Sequence, residues 1–255
     1  MDIATVMGIV VFIGLAAAAI GHQEGLAGFK PFANMEALLI VMGGTFCATL
    51  VNYPLREVVG LGKIVRKAIF EKAEDTAGIV VIFRALAEKA KKEGFLALEA
   101  DIQRLEADFL KRGLQMVIDG NDQEFIRNML ETELGFIRER HKVGAEILGA
   151  LGTYAPAFGI IGTVLGMIMM LSSIEDVSAV PRRMALALAA AFYGLGSGYL
   201  IFLPMNGKLR RRSEEELLGK EIVIRGVLLL QSGATPSTVE ANLKAYLGPS
   251  QRMLV

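Results

Sequence analysis

The chain has 255 residues, 53% of them hydrophobic, with a mean hydropathy of +0.46 and a formal net charge of +0. That apolar fraction exceeds what a soluble domain carries, and the balanced charge predicts neither nucleic-acid binding nor a strongly acidic partner. Much of the length is needed to cross lipid, so no independent enzyme-sized core remains.

In chain order, charge is scarce from Ile3 to Ile20, Ala37 to Val51, Ile147 to Ile174 and Met184 to Met205. A hydrocarbon core about 30 Å thick asks for about 20 apolar residues at a rise of about 1.5 Å each. The four stretches therefore read as four transmembrane helices of an all-α, polytopic membrane protein. The first lacks a basic leading region and a persuasive cleavage site, so it reads as a retained helix and not as a secretory signal. The second meets the length if Thr45, Thr49 and Asn52 lie near its ends or against other helices. It carries Cys47, the only cysteine, which rules out an intrachain disulfide or a zinc cluster and reads as small apolar packing.

Between the second and third spans, Arg56 to Lys142 carries most of the charge. Ile79, Val80, Phe83, Leu86 and Ala87 recur at helical spacing, as do Leu98, Ile102, Leu105 and Phe109, which predicts an amphipathic helical bundle. Gly94, Gly113 and the Asp119-Gly120-Asn121 turn punctuate the run, and Asp122 is the expected N-cap of the helix carrying Phe125, Met129 and Leu130. After the fourth span, another helix is expected over Arg210 to Leu230. Thr235-Pro236-Ser237 breaks it, and Val239 to Leu247 forms a short terminal helix. The expected organisation is spans one and two in 1–53, a cytoplasmic helical domain in 54–145, spans three and four in 146–207 and cytoplasmic helices in 208–255.

Lys and Arg near span ends set orientation, because cytoplasmic flanks hold an excess of them. Arg56, Lys63, Arg66 and Lys67 follow the second span, and Lys208, Arg210, Arg211 and Arg212 follow the fourth. The short loops at 21–34 and 175–183 are poorer in net basic charge and are expected outside. Both termini and the long charged segment are then cytoplasmic.

The chain carries no Ser/His/Asp pattern, metal-ligand cluster or phosphate-binding glycine loop, so covalent catalysis and a bound cofactor are not expected. His22, assigned to the outer loop, and His141, between Arg140 and Lys142, both read as solvated. The informative residues are in the spans. Gly159, Gly162 and Gly166 share one helix surface where absent side chains permit close helix approach. Thr163 projects among them, either bonding back to a carbonyl one turn earlier or offering an oxygen to a cation. Pro156 and Pro204 each remove a helix hydrogen bond near the expected cytoplasmic end of a span, which permits a kink. No Asp, Glu, Lys or Arg lies inside any span. Proton and sodium pathways need an ionisable group in the membrane, so a partner should supply the carboxylate.

These residues carry a nearly full-length resemblance to the A-subunit of the bacterial flagellar stator, the MotA/PomA family. The signatures are Met1-Asp2-Ile3-Ala4-Thr5, Leu39 to Gly44, Lys92 to Glu99, Glu139-Arg140-His141 and Ala155-Pro156 through Leu171. The resemblance implies a homopentamer around a dimer of a single-span, peptidoglycan-anchored B-subunit bearing the ion-binding aspartate. It implies H+ or Na+ passage in the bacterial inner membrane and torque on a rotor switch-ring protein (FliG-like). Pro156, Thr163, Ala191, Tyr193 and Pro204 are the implied ion-pathway residues, and Lys91, Lys92 and Glu99 the implied rotor-binding ones. Thr163 matches the pore threonine of sodium-type members, whereas Ala191 stands where those members carry a second threonine. Thr153 occupies a position that is commonly acidic. The alternative reading is an ExbB/TolQ-like energiser of another envelope machine; a passive membrane scaffold is the third.

Overall fold

The structure is a computed structural model that describes residues 3–70, 75–105 and 107–252. Met1 and Asp2 of the opening signature lie outside the described residues, as do the side chains of Lys63, Arg66 and Lys67. The described residues are almost wholly helical, with no strand among them. They form two compact units, Met1–Glu71 with His141–Arg210, and Lys72–Arg140 with Arg211–Val255.

The first unit opens with α1, Ile3–Glu24, whose 22 residues match the thickness of a bilayer. A 3-10 stretch, Gly25–Phe32, leads to α2 over residues 35–52. Asn34 caps α2 by accepting from the Ala37 amide at 2.9 Å. The helix widens to a π turn over Leu39–Gly43 and ends at Tyr53, where the extended backbone meets Pro54. Thr45 and Thr49 are fully buried and donate to the Val41 and Thr45 carbonyls at 2.6 and 2.8 Å, so packing and backbone bonding satisfy the polar residues of the second span. Helix α3 follows over Leu55–Phe70.

Two long helices, α7 over Gln123–Leu171 and α8 over Val180–Gln231, contribute residues to both units. The fourth span was expected to end before a separate helix. Instead α8 is continuous, because Arg210 to Glu216 are, Ser213 apart, strong helix formers with no proline or glycine among them. Three helical stretches, Ala27–Asn52, α7 and α8, are long and apolar enough to cross a membrane, and Met7–His22 is a shorter apolar stretch inside α1. Their large hydrophobic side chains point outward, among them Val10, Ile13, Ile160, Ile168, Leu188 and Leu195. A surface of this kind requires lipid or protein around it.

The second unit is the reverse, with apolar groups inside. Helix α4, Thr76–Glu93, is capped by Asp75 and ends at Gly94, whose φ of +84° turns the chain into a 3-10 segment, Phe95–Leu98. Then come α5, Glu99–Gln103, and α6, Asp108–Ile118. The run from Leu98 to Phe109 is thus two helices and not one: the amides of Arg104 and Leu105 bond three residues back, closing α5. Asp122 caps α7 as expected, accepting from the Phe125 amide at 2.8 Å. Gly113 does not break α6. It lies where a Cβ would fall 3.0 Å from Val227 and 3.3 Å from Leu130, so its absent side chain admits close packing. Thr235 caps α9, Pro236–Lys244, and α10, Pro249–Arg252, follows. Phe83, Leu98, Leu114, Ile126, Leu130, Ile222 and Leu243 are buried together in the core.

Three side chains depart from their expected places. His141 is buried, because its helix face packs inward beside Ala145 and Leu148. His22 lies in the last turn of α1 and not in a loop. Cys47 is exposed on α2, opposite the buried Thr45 and Thr49, so it does not pack within its own chain.

Candidate functional site

Helices α7 and α8 meet along a ladder of small residues. A Cβ on Gly166 would lie 2.7 Å from that of Ala187, and one on Gly162 would lie 2.5 Å from that of Ala190. A Cβ on Gly159 would lie 3.1 Å from both the Ala190 carbonyl and Gly194 Cα. Contacts this short leave no room for a methyl group, so the three glycines set the distance between the two backbones. Gly194 and Gly198 belong to the same ladder from the α8 side: a Cβ on Gly194 would fall 2.6 Å from the Ala155 carbonyl. The Gly194-Leu195-Gly196-Ser197-Gly198 run carries the same small-residue signal in the fourth span that Gly159, Gly162 and Gly166 carry in the third.

Thr163 is half-buried in this contact. Its hydroxyl faces the Gly159 carbonyl one turn back at 2.9 Å and the Ala187 carbonyl of α8 at 3.2 Å. Ala191, also half-buried, has its Cα 3.6 Å from the Cβ position on Gly159. Pro156, Thr163, Ala191 and the three glycines therefore share one interface. Tyr193 does not join them. Its hydroxyl donates to the Phe32 carbonyl and accepts from the Asn34 amide at 3.1 Å, fastening α8 to the linker ahead of α2. Pro204 is exposed, just beyond a π segment, Gly196–Phe202.

At the other end of the pair, the Arg183 guanidinium reaches the Met169 carbonyl and the Ser173 hydroxyl, satisfying the C-terminus of the α7 helix. In the connecting turn, the Ser178 hydroxyl donates to Asp176 at 2.6 Å and is the main cause holding that carboxyl below its ordinary value. Thr153 is exposed and bonds the Gly149 carbonyl at 3.0 Å.

In the second unit, Lys91, Lys92 and Glu99 are exposed on either side of the Gly94 turn. Lys89 pairs with Asp101 at 2.7 Å and holds α4 to α5 there. The three candidate residues have no ion-pair partner among the described residues, so their charge is available to an outside surface.

The sequence profile of the MotA/TolQ/ExbB proton channel family matches residues 101–222. Motility protein A of Treponema phagedenis is 36% identical, over 99% of this chain and 96% of that protein. Chemotaxis protein PomA of Vibrio alginolyticus is 32% identical, over 100% and 98%. Among solved structures, the flagellar MotAB stator complex from Bacillus subtilis superposes with a TM-score of 0.88 at 32% identity, covering 98% of this chain and 97% of that one.

Proposed function

The chain belongs to the MotA/PomA branch of the MotA/TolQ/ExbB proton channel family, and from that premise we propose that it is the A-subunit of a flagellar motor stator. The observation that carries this reading is similarity along the whole chain to motility proteins, joined to an α7/α8 pair whose membrane-spanning part holds no Asp, Glu, Lys or Arg. Such a pair forms one wall of an ion path and requires a carboxylate from elsewhere. A peptidoglycan-anchored B-subunit dimer supplies it, surrounded by five copies of this chain in the inner membrane, with both termini and the 54–145 segment in the cytoplasm.

In this reading H+ or Na+ reaches the B-subunit aspartate along α7 and α8. Thr163 supplies an oxygen at the path, Ala191 leaves the facing side apolar, and Pro156 and Pro204 give the two spans places to bend. Each ion step turns the pentamer around its axle. Lys91, Lys92 and Glu99 pass that motion to complementary charges on the rotor's switch ring. The work is mechanical and needs no covalent step.

The test is motility of a stator-deficient bacterium expressing this chain with its cognate B-subunit while sodium and the proton gradient are varied independently. Swimming that follows one gradient is the expected result and names the ion. Assembled complexes in the membrane that never drive swimming would overturn the reading in favour of an ExbB/TolQ-like energiser.

A further inference from the structure

We propose that Gly198 is a positioning residue that joins the two proline-marked irregularities of the third and fourth spans into a single hinge. The inference rests on the ion-driven reading above.

Pro156 lies inside α7 and has no N–H, so the Gly152 carbonyl one turn earlier loses its helical donor. Across the interface, the wide turn of α8 is closed by the Leu203 amide donating to the Gly198 carbonyl, five residues back. Both ends of that bond rest on the same turn of α7. A Cβ on Gly198 would fall 2.7 Å from Cδ and Cγ of Pro156 and 2.9 Å from the Gly152 carbonyl oxygen. A Cβ on Gly152 would fall 2.6 Å from Leu203 Cγ and 3.3 Å from the Leu203 amide nitrogen. Pro204, next in sequence, also lacks the donor that would return the chain to ordinary four-residue bonding at Leu200.

The missing bond of one helix and the widened turn of the other are therefore in direct contact, through two positions where only hydrogen fits. A change in the α7 bend must displace Gly198, and closing the wide turn must displace Leu203 from Gly152. Packed elements of this kind move between discrete arrangements together. Pro156 and Pro204 act on one another through Gly198.

The test is hydrogen exchange on the intact stator complex, which reads local opening independently of rotation. Pro156→Ala restores a donor to Gly152 and removes the ring. It is expected to change exchange of the 199–203 amides by about fivefold or more, the low end of ordinary coupling between sites. Gly162→Ala, a comparably close contact between the same two helices away from Pro156, parts the pair in general and should change those amides less than Pro156→Ala does. Gly198→Ala should alter them alone but add nothing on the Pro156→Ala background, and in cells it should slow rotation at an unchanged number of engaged stators. A Pro156→Ala effect confined to α7, or an equal effect from Gly162→Ala, would overturn the proposal. If Gly198→Ala fails to assemble, the exchange result for Pro156→Ala still decides. A wild-type complex that shows the coupling but never drives swimming would sink the stator reading and leave the hinge standing.

Discussion

Thr163 has two acceptors and one hydroxyl proton, so at any moment it donates to Gly159 or to Ala187. Its lone pairs stay available while the proton switches between them, which suits a group that greets a passing cation and then closes back on the helix pair. Thr163→Val keeps the shape and removes the oxygen. The expected outcome is a shifted dependence of swimming speed on sodium or pH with normal assembly; identical ion dependence would make the hydroxyl an interhelical tie only. The bond to Gly159 was open to prediction, because threonine in a helix commonly reaches back one turn. The bond to Ala187 was not, since it depends on the register between two helices, and a single sequence carries no register. Tyr193 is a second case of the same kind. Its ring sits on α8, but its hydroxyl is committed to a linker about 160 residues away in sequence, a pairing that only the folded chain shows.

At the scale of elements, the small-residue ladder makes a graded prediction. Gly166→Ala would place its Cβ 2.9 Å from the backbone nitrogen and Cα of Ala187, where no rotamer change relieves the contact. It is expected to destabilise the chain by about 1–3 kcal/mol, read as a lower melting temperature in detergent. Gly14→Ala, with nothing within 4 Å of the added atom, should be close to neutral or slightly stabilising through helix propensity. In the second unit, Glu240 joins α9 to α4 through Arg84 at 2.9 Å and pairs with Lys244 on its own helix at 2.7 Å. The Lys244 hydrogen bond is the main cause holding its carboxyl below the ordinary value, with Arg84 adding to it. A carboxyl lowered in the folded state stabilises it above the unfolded carboxyl's pKa and loses that contribution as pH falls through the lowered one. Protection of the α9 amides, taken relative to their intrinsic exchange rate at each pH, should therefore fall as pH drops through the carboxylate range, and Glu240→Gln should remove that dependence. Apolar stretches and the Asp122 cap were readable from sequence because both are local, the first a charge-free length and the second a side chain that reaches an amide three residues on; Thr235 was expected only to break the chain, and it caps α9. The π segments were hidden, because one extra residue in a turn leaves a wholly apolar pattern unaltered. Pro204 marked the place without revealing the form.

For the whole molecule, the contrast between the two units is what sequence composition reports most directly. One unit turns Val10, Ile160 and Leu188 outward, and the other buries Phe83, Leu114 and Ile222. Uneven charge along the chain separates the two solvents, which is why apolar helices of membrane length and a charged helical bundle were legible. Inward packing of His141 was not, because flanking Arg140 and Lys142 masked the buried side of its helix. At this scale the prediction concerns force. Charge reversal by Lys92→Glu or Glu99→Lys leaves the membrane unit untouched and should lower torque at high load, with normal membrane levels. Single exposed charge pairs contribute about 0–1 kcal/mol, so each reversal should weaken coupling by degrees, and the double reversal should do more. Full torque in the double variant would show that the three exposed residues are only a solvated face.

Cys47 gives the assembled machine a built-in reporter. Each copy carries one thiol, and it stands on the outer face of α2. In denaturing detergent each subunit takes one maleimide with no engineered site, so the tag counts copies. In the intact complex the reacting thiolate needs water, so labelling there would show that this face of the second span is wet, and protection would show that lipid or a neighbouring subunit covers it.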